Sequence, residues 1–235
     1  MNTLDAKVVA ITGGFGNLGL VAAQVLAERG ARVALIGRGT PPATASLPPS
    51  LAEATLVGGV DLGKPDETQA AMDSIASRFG RLDAVINVAG GFRWETVTDG
   101  SIDTWDTMYE MNVRTAVNAS KAALSHLIAA GAGRIVNIGA GAALKAGTGM
   151  GAYAASKAGV ARLTEALAEE LKDKFVTVNA ILPSIIDTRQ NRADMPDADF
   201  SRWVRPEQIG SVIAFLLSDD AAAITGALIP VSGRV

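Results

Sequence analysis

Tyr153 and Lys157 stand four residues apart in "YAASK" (153–157). Side chains at that spacing project from one side of a helix. At about 4 Å and an effective dielectric of about 20, an ammonium stabilises a phenolate by roughly 4 kcal/mol. One pH unit corresponds to about 1.4 kcal/mol, so such a cation would draw a phenol from ~10 towards neutrality. A tyrosine so tuned gives or takes a proton at physiological pH. The competing reading is an ordinary surface pair on an amphipathic helix. Upstream, where a partner hydroxyl would be expected, the chain reads Gly139-Ala140-Gly141, and no serine occurs from 126 to 155.

A second constellation lies near the start of the chain, in "TGGFGNLG" (12–19). It follows an apolar run and opens a helical pattern. Gly13 permits a tight turn, Gly16 a close backbone approach to a pyrophosphate, and Gly19 close packing of helix on strand. Phe15, Asn17 and Leu18 complete the turn, and the helix start then offers free N–H groups to the anion. NAD sites usually place an acidic residue about 20 positions further on. That place holds Gly37, followed by Arg38. Without a carboxylate there is no repulsion toward a 2′-phosphate, and a guanidinium can pair with it. NADP(H) is therefore favoured over NAD(H), the alternative being that Arg38 is a solvated cation at a strand end. Asp61, in "VDL" (60–62), could hold an adenine amino group or lead a helix.

The elements that position these groups follow from periodicity. Continuous apolar runs at 7–12, 32–37, 55–60, 82–89, 134–139, 176–182 and 227–231 read as strands buried on both faces. Helical patterns lie between them, which gives a doubly wound α/β Rossmann-type fold with a parallel seven-stranded sheet. One domain over 1–235 is expected, with no dividing linker. Paired prolines in 38–53 argue for a loop there, and the polar stretch 184–205 reads as a lid over a site. Residues 153–171 form a helix with Val160, Leu163, Leu167 and Leu171 on its apolar face. Net charge is −3 with no basic run, so no nucleic-acid footprint is visible. No apolar stretch suits a membrane, no leader is recognisable, and cysteines are absent, consistent with a cytoplasmic protein. His126 reads as a partly exposed helix residue, and no spacing of ligands suggests a metal.

"TGGFGNLG", "NVAGG" (87–91), "MNV" (111–113), "YAASK" and "VNAILPSIIDT" (178–188) together resemble the short-chain dehydrogenase/reductase family across essentially the whole chain. The resemblance implies that Tyr153 is the proton donor and that Lys157 also holds the nicotinamide ribose. It implies that Asn112 helps hold a relay water near Lys157. By the same likeness Asn87, Ala89 and Gly90 flank the adenine-ribose side, and Asp61 and Leu62 touch adenine. Pro183, Ile186 and Thr188 would lie against the nicotinamide carboxamide. A homodimer or homotetramer is implied, through the 153–171 and 101–130 helices. Three positions depart from the pattern. Ala140 stands where the family's serine falls, thirteen residues before the tyrosine; Asn17 replaces a glycine; Ser184 follows Pro183.

Losing one donor at a developing oxyanion costs about 2.7–4 kcal/mol, or ~10²–10³ in rate, so a ketone reductase would suffer. "AGGF" (89–92), "GAGAALKAGTGMGAY" (139–153) and the lid string from Asn191 to Trp203 resemble the quinonoid dihydropteridine reductase branch. That branch also carries alanine in the serine's place. The expected acceptor is then a conjugated imine-like or quinonoid ring, which brings its own electrophilicity. Phe92 and Trp94 could stack on such a ring, and Arg192 could reach a carbonyl or anionic group. Two other readings stand beside it: a general carbonyl reductase with a serine-less site, and a dinucleotide-binding sensor with weak catalysis.

Overall fold

The computed structural model describes residues 4–235. Seven parallel strands form one sheet in the order β3-β2-β1-β4-β5-β6-β7. They are β1 (Val8–Thr12), β2 (Arg32–Ile36), β3 (Thr55–Val57), β4 (Ala84–Asn87), β5 (Arg134–Ile138), β6 (Thr177–Pro183) and β7 (Leu228–Val231). The helices are α1 (Asn17–Ala27), α2 (Pro65–Phe79), α3 (Ile102–Tyr109), α4 (Thr115–Ala129), α5 (Gly151–Leu171), α6 (Arg189–Asp194) and α7 (Pro206–Leu217).

Alternate residues of a strand face opposite sides of a sheet, and the two cores divide on that rule. Val9, Ile11 and Leu35 face α1 and α7, meeting Leu18, Leu26, Ile209 and Ile213. Val8, Ala10 and Ile36 face the other layer, meeting Met72 and Ile75 of α2, Leu127 of α4 and Leu167 of α5. Burial on both faces is why these strands read as unbroken apolar runs.

β1 pairs with β2 on one side and β4 on the other. The chain thus reverses direction across the sheet at β1, and a crevice opens beyond the strand ends at that switch point.

Four details differ from the sequence expectation. β3 stops at Val57, because Gly58 packs under Pro41 and Gly59 takes a positive φ of 72°. The segment 38–53 holds two short 3-10 turns, Thr44–Ser46 and Pro49–Leu51. The expected 101–130 helix is interrupted by one π turn, Glu110–Arg114, which joins α3 to α4. β7 forms the sheet edge and is only partly buried. His126 is partly exposed and bonded to Asp73, 2.7 Å away. No helix among the described residues is long and apolar enough to cross a membrane.

Candidate active site

The glycine turn between β1 and α1 is as tight as the spacing requires. Gly13 has φ +63°, and a Cβ there would fall 2.8 Å from the Ala89 nitrogen. A Cβ on Gly19 would lie 2.3 Å from the Gly13 carbonyl oxygen. Thr12 adds a tie that spacing alone did not single out: its hydroxyl accepts from the Ala89 N–H at 3.2 Å, holding the β1 and β4 ends together. Between the turn and the ends of β2 and β4 lies a cavity of about 560 Å³. Gly13, Phe15, Gly16, Asn17, Leu18, Gly19, Arg38, Leu62, Ala89 and Gly90 all line it. Met111 and Thr115 line it too, and were not foreseen. Backbone N–H groups at a helix start, with side chains excluded from the turn, fit the phosphates of a dinucleotide.

Asn87 and Asp61 are not among the residues lining the cavity. Asn87 is buried inside the sheet, its Nδ2 donating to Ser120 Oγ (3.0 Å) and Asn137 Oδ1 (2.8 Å). It braces β4 against β5 and α4 and does not line the cavity, because its alternation places it on the α2 and α4 face with Val85. Asp61 accepts from the Gly63 N–H at 3.0 Å and from Arg38 Nη2 at 3.4 Å. These two partners, the backbone first, hold its carboxyl below the usual value. It thereby tethers Arg38 at the cavity's edge.

Beyond the cavity the ends of β4 and β5 meet the start of α5. Lys157 is buried, and its Nζ donates to the Ile138 carbonyl at 2.8 Å. Asn112, carried on the π turn, accepts from the Gly91 N–H (3.0 Å) and donates to the Gly91 carbonyl (3.1 Å). The same amide donates to Ser156 Oγ at 3.0 Å, and Ser156 donates to the Tyr153 carbonyl at 2.7 Å. Ser156 thus links the loop after β4 to the first turn of α5, a role with no signal in the sequence. A Cβ on Gly90 would sit 2.4 Å from Asn112 Oδ1, so only glycine fits.

The protonation behaviour departs from the sequence argument. Burial pushes the Tyr153 phenol up to about 12 and the Lys157 ammonium down to about 8. The lysine nitrogen lies 6.0 Å from the centre of the tyrosine ring and is directed to a backbone carbonyl. Desolvation of both groups outweighs their attraction in the protein by itself. Tyr153 is therefore a protonated phenol at neutral pH, able to give a proton.

Ala140 is buried at the end of β5, in extended backbone before a short turn. Phe92 meets Tyr153 edge to face, with ring centroids 4.9 Å apart. Trp94 Nε1 donates to the Thr148 carbonyl at 3.0 Å, and its ring fills the space that a Cβ on Gly149 would need. Both aromatic side chains remain more than half exposed, at 57% and 59%. The loops after β4 and β5 are thereby joined into one apolar rim beside the tyrosine.

Pro183 ends β6 and Ile186 and Thr188 follow it; none of the three lines the cavity. Thr188 caps α6 by accepting from the Asn191 N–H. Arg192 is held within the 184–205 segment: it donates to both oxygens of Asp187 (2.5 and 2.8 Å) and lies 4.8 Å over the Phe200 ring. Its guanidinium is half exposed in that pair.

Residues 7–199 match the family described as short chain dehydrogenase. The chain belongs to that family. A 3-oxoacyl-(acyl-carrier-protein) reductase of Vibrio cholerae is 32% identical over 239 residues, covering 98% of this chain and 97% of the relative. D-threitol dehydrogenase of Mycolicibacterium smegmatis is 32% identical over 248 residues, covering 98% and 93%. Among solved structures, NAD⁺-bound xylitol dehydrogenase superposes with a TM-score of 0.89 at 29% identity, over 98% and 99% of the two chains. Carveol dehydrogenase of Mycobacterium avium with NAD gives 0.86 at 27% identity, over 99% and 98%. The chain is thus a short-chain NAD(P)-dependent oxidoreductase.

Proposed function

We propose that this enzyme uses reduced nicotinamide dinucleotide, NADPH before NADH, to reduce a conjugated imine-like or quinonoid ring such as a quinonoid dihydropterin. The reading is carried by Ala140: the place of the family's serine offers a buried methyl group, and burial keeps the Tyr153 phenol protonated. The lid string from Asn191 to Trp203 and the exposed Phe92 and Trp94 support a flat acceptor. None of the relatives named above is a pterin reductase, so the acceptor rests on these features of the chain.

The coenzyme supplies hydride when bound. Tyr153 would donate its phenolic proton to the acceptor nitrogen that receives the electron pair. Lys157, protonated below about 8, would lie beside the resulting phenolate. Asn112 would fix Gly91, and through it the Phe92 and Trp94 rim. Arg38 would meet a 2′-phosphate, and the 184–205 segment would close over the acceptor as a lid. Exposed Ile102, Trp105 and Tyr109 along α3, with small residues on α5, support association into a homodimer or homotetramer. The absence of cysteine supports a cytoplasmic setting.

The relatives' own names favour a second reading, reduction of simple carbonyls. NADPH consumption with a quinonoid dihydropterin, set against a panel of ketones, separates the two. The pterin should exceed the best ketone in kcat/KM by about 10² or more, the worth of one missing oxyanion donor. Ala140→Ser should raise ketone turnover and leave pterin turnover within about threefold. Equal or better turnover of ketones by the wild type refutes the proposal.

A further inference from the structure

NADH sites clasp a ribose hydroxyl with a carboxylate at the end of the second strand. In this chain that place is Gly37, which is buried. Its N–H donates to the Val57 carbonyl (3.0 Å), and its carbonyl accepts from the Val60 N–H (3.1 Å). The backbone is pinned from both sides. A Cβ built on Gly37 would lie 2.2 Å from Phe15 Cδ2 and 2.5 Å from Phe15 Cε2. The phenyl ring is anchored in turn, since Phe15 packs on the core beneath α1 and α7. Its neighbour Gly14 donates to the Ile36 carbonyl at 2.9 Å, and any Cβ there would strike Leu35. Ring and glycine therefore share one volume at the wall of the cavity.

We propose that the Phe15 ring excludes any side chain at position 37, filling the space that a ribose-clasping carboxylate there would occupy. The inference rests on the NADPH reading above and gives it a steric cause. An aromatic ring offers a ribose hydroxyl no strong acceptor. Among the described residues lining the cavity Arg38 alone is charged, and its exposed contact with Asp61 is long. Such a surface pair is readily exchanged for a phosphate.

The test is equilibrium binding of NADPH and NADH, read from the fluorescence of the reduced coenzymes, for wild type, Gly37→Asp, Phe15→Ala and the double variant. Gly37→Asp alone should weaken both coenzymes at least about tenfold, because carboxylate and ring compete for one space. Phe15→Ala alone should keep the preference for NADPH. The double variant should bind NADH at least about tenfold more tightly than Gly37→Asp does, with the preference reversed. The proposal is overturned if Gly37→Asp alone binds NADH as tightly as the double variant.

Should the aspartate prevent folding by circular dichroism, Gly37→Ala poses the same question, since a methyl group already meets the ring. It should weaken both coenzymes, and adding Phe15→Ala should restore them; wild-type binding by Gly37→Ala alone overturns the proposal. A wild type that prefers NADH would remove the NADPH reading by itself. The single-against-double comparison would then still decide whether the ring excludes a side chain at position 37.

Discussion

Replacing Lys157 by methionine tests the buried cluster through stability, independently of any substrate. The ammonium is 6% exposed, and burial depresses it from 10.5 to about 8. At about 1.4 kcal/mol per pH unit, that depression corresponds to about 3 kcal/mol. The direction follows from proton counting. Between pH 8 and 10.5 the unfolded chain holds the lysine proton while the native state has released it. Raising the pH through that window therefore stabilises the native state, and below pH 8 the full cost of burying the cation remains. Lys157→Met has no such group. Urea unfolding of wild type and variant without coenzyme, from pH 7 to pH 10, should show wild type gaining relative to the variant. The gain should approach about 3 kcal/mol, most of it above pH 8. Part of the variant's advantage at pH 7 is offset by the lost bond to the Ile138 carbonyl, which shifts the whole difference but not its slope with pH. A difference that stays flat across the series would refute the claim that Lys157 is desolvated, and with it the physical account of the Tyr153–Lys157 pair.

Two further changes probe the frame around that pair. Asn112→Leu leaves the Gly91 N–H and carbonyl without their side-chain partner. A fully buried group so orphaned costs about 1–3 kcal/mol; Gly91 is half-buried, so chemical denaturation should show a loss of about 1 kcal/mol or more, together with a raised KM for the acceptor. Unchanged stability would mean that the amide does not brace the loop. Gly19→Ala sets a methyl group 2.3 Å from the Gly13 carbonyl oxygen. Backbone must move, at about 1–3 kcal/mol; thermal unfolding should fall accordingly and NADPH binding should weaken at least about tenfold. Binding equal to wild type would show that the turn can open without harm to the coenzyme site.

Much of this enzyme is legible in local sequence because its causes are local. Strands such as "VVAIT" and "RIVNI" are buried along their whole length and mostly apolar, since both faces meet helices. The glycines of "TGGFGNLG" are demanded by a turn whose atoms lie within a few residues of one another, save for the approaches of Ala89 to Gly13 and Leu35 to Gly14. Tyr153 and Lys157 share a helix side by spacing alone. The π turn at Glu110–Arg114 left no such mark, because it is set by where Asn112 must reach, across to Gly91 and Ser156.

The sequence by itself determined the order of strands and helices, the phosphate-facing turn, the tyrosine–lysine pair and the missing serine hydroxyl. Tertiary structure decided what those groups experience. It set the Phe15 ring over Gly37, drew Asp61 to Arg38 and Arg192 to Asp187, and turned Asn87 into the sheet. It also reversed the expected shift of the phenol, raising it where charge attraction alone would lower it. The reason is that spacing along a chain fixes which groups can be neighbours. Desolvation and excluded volume depend on every other segment that packs against them.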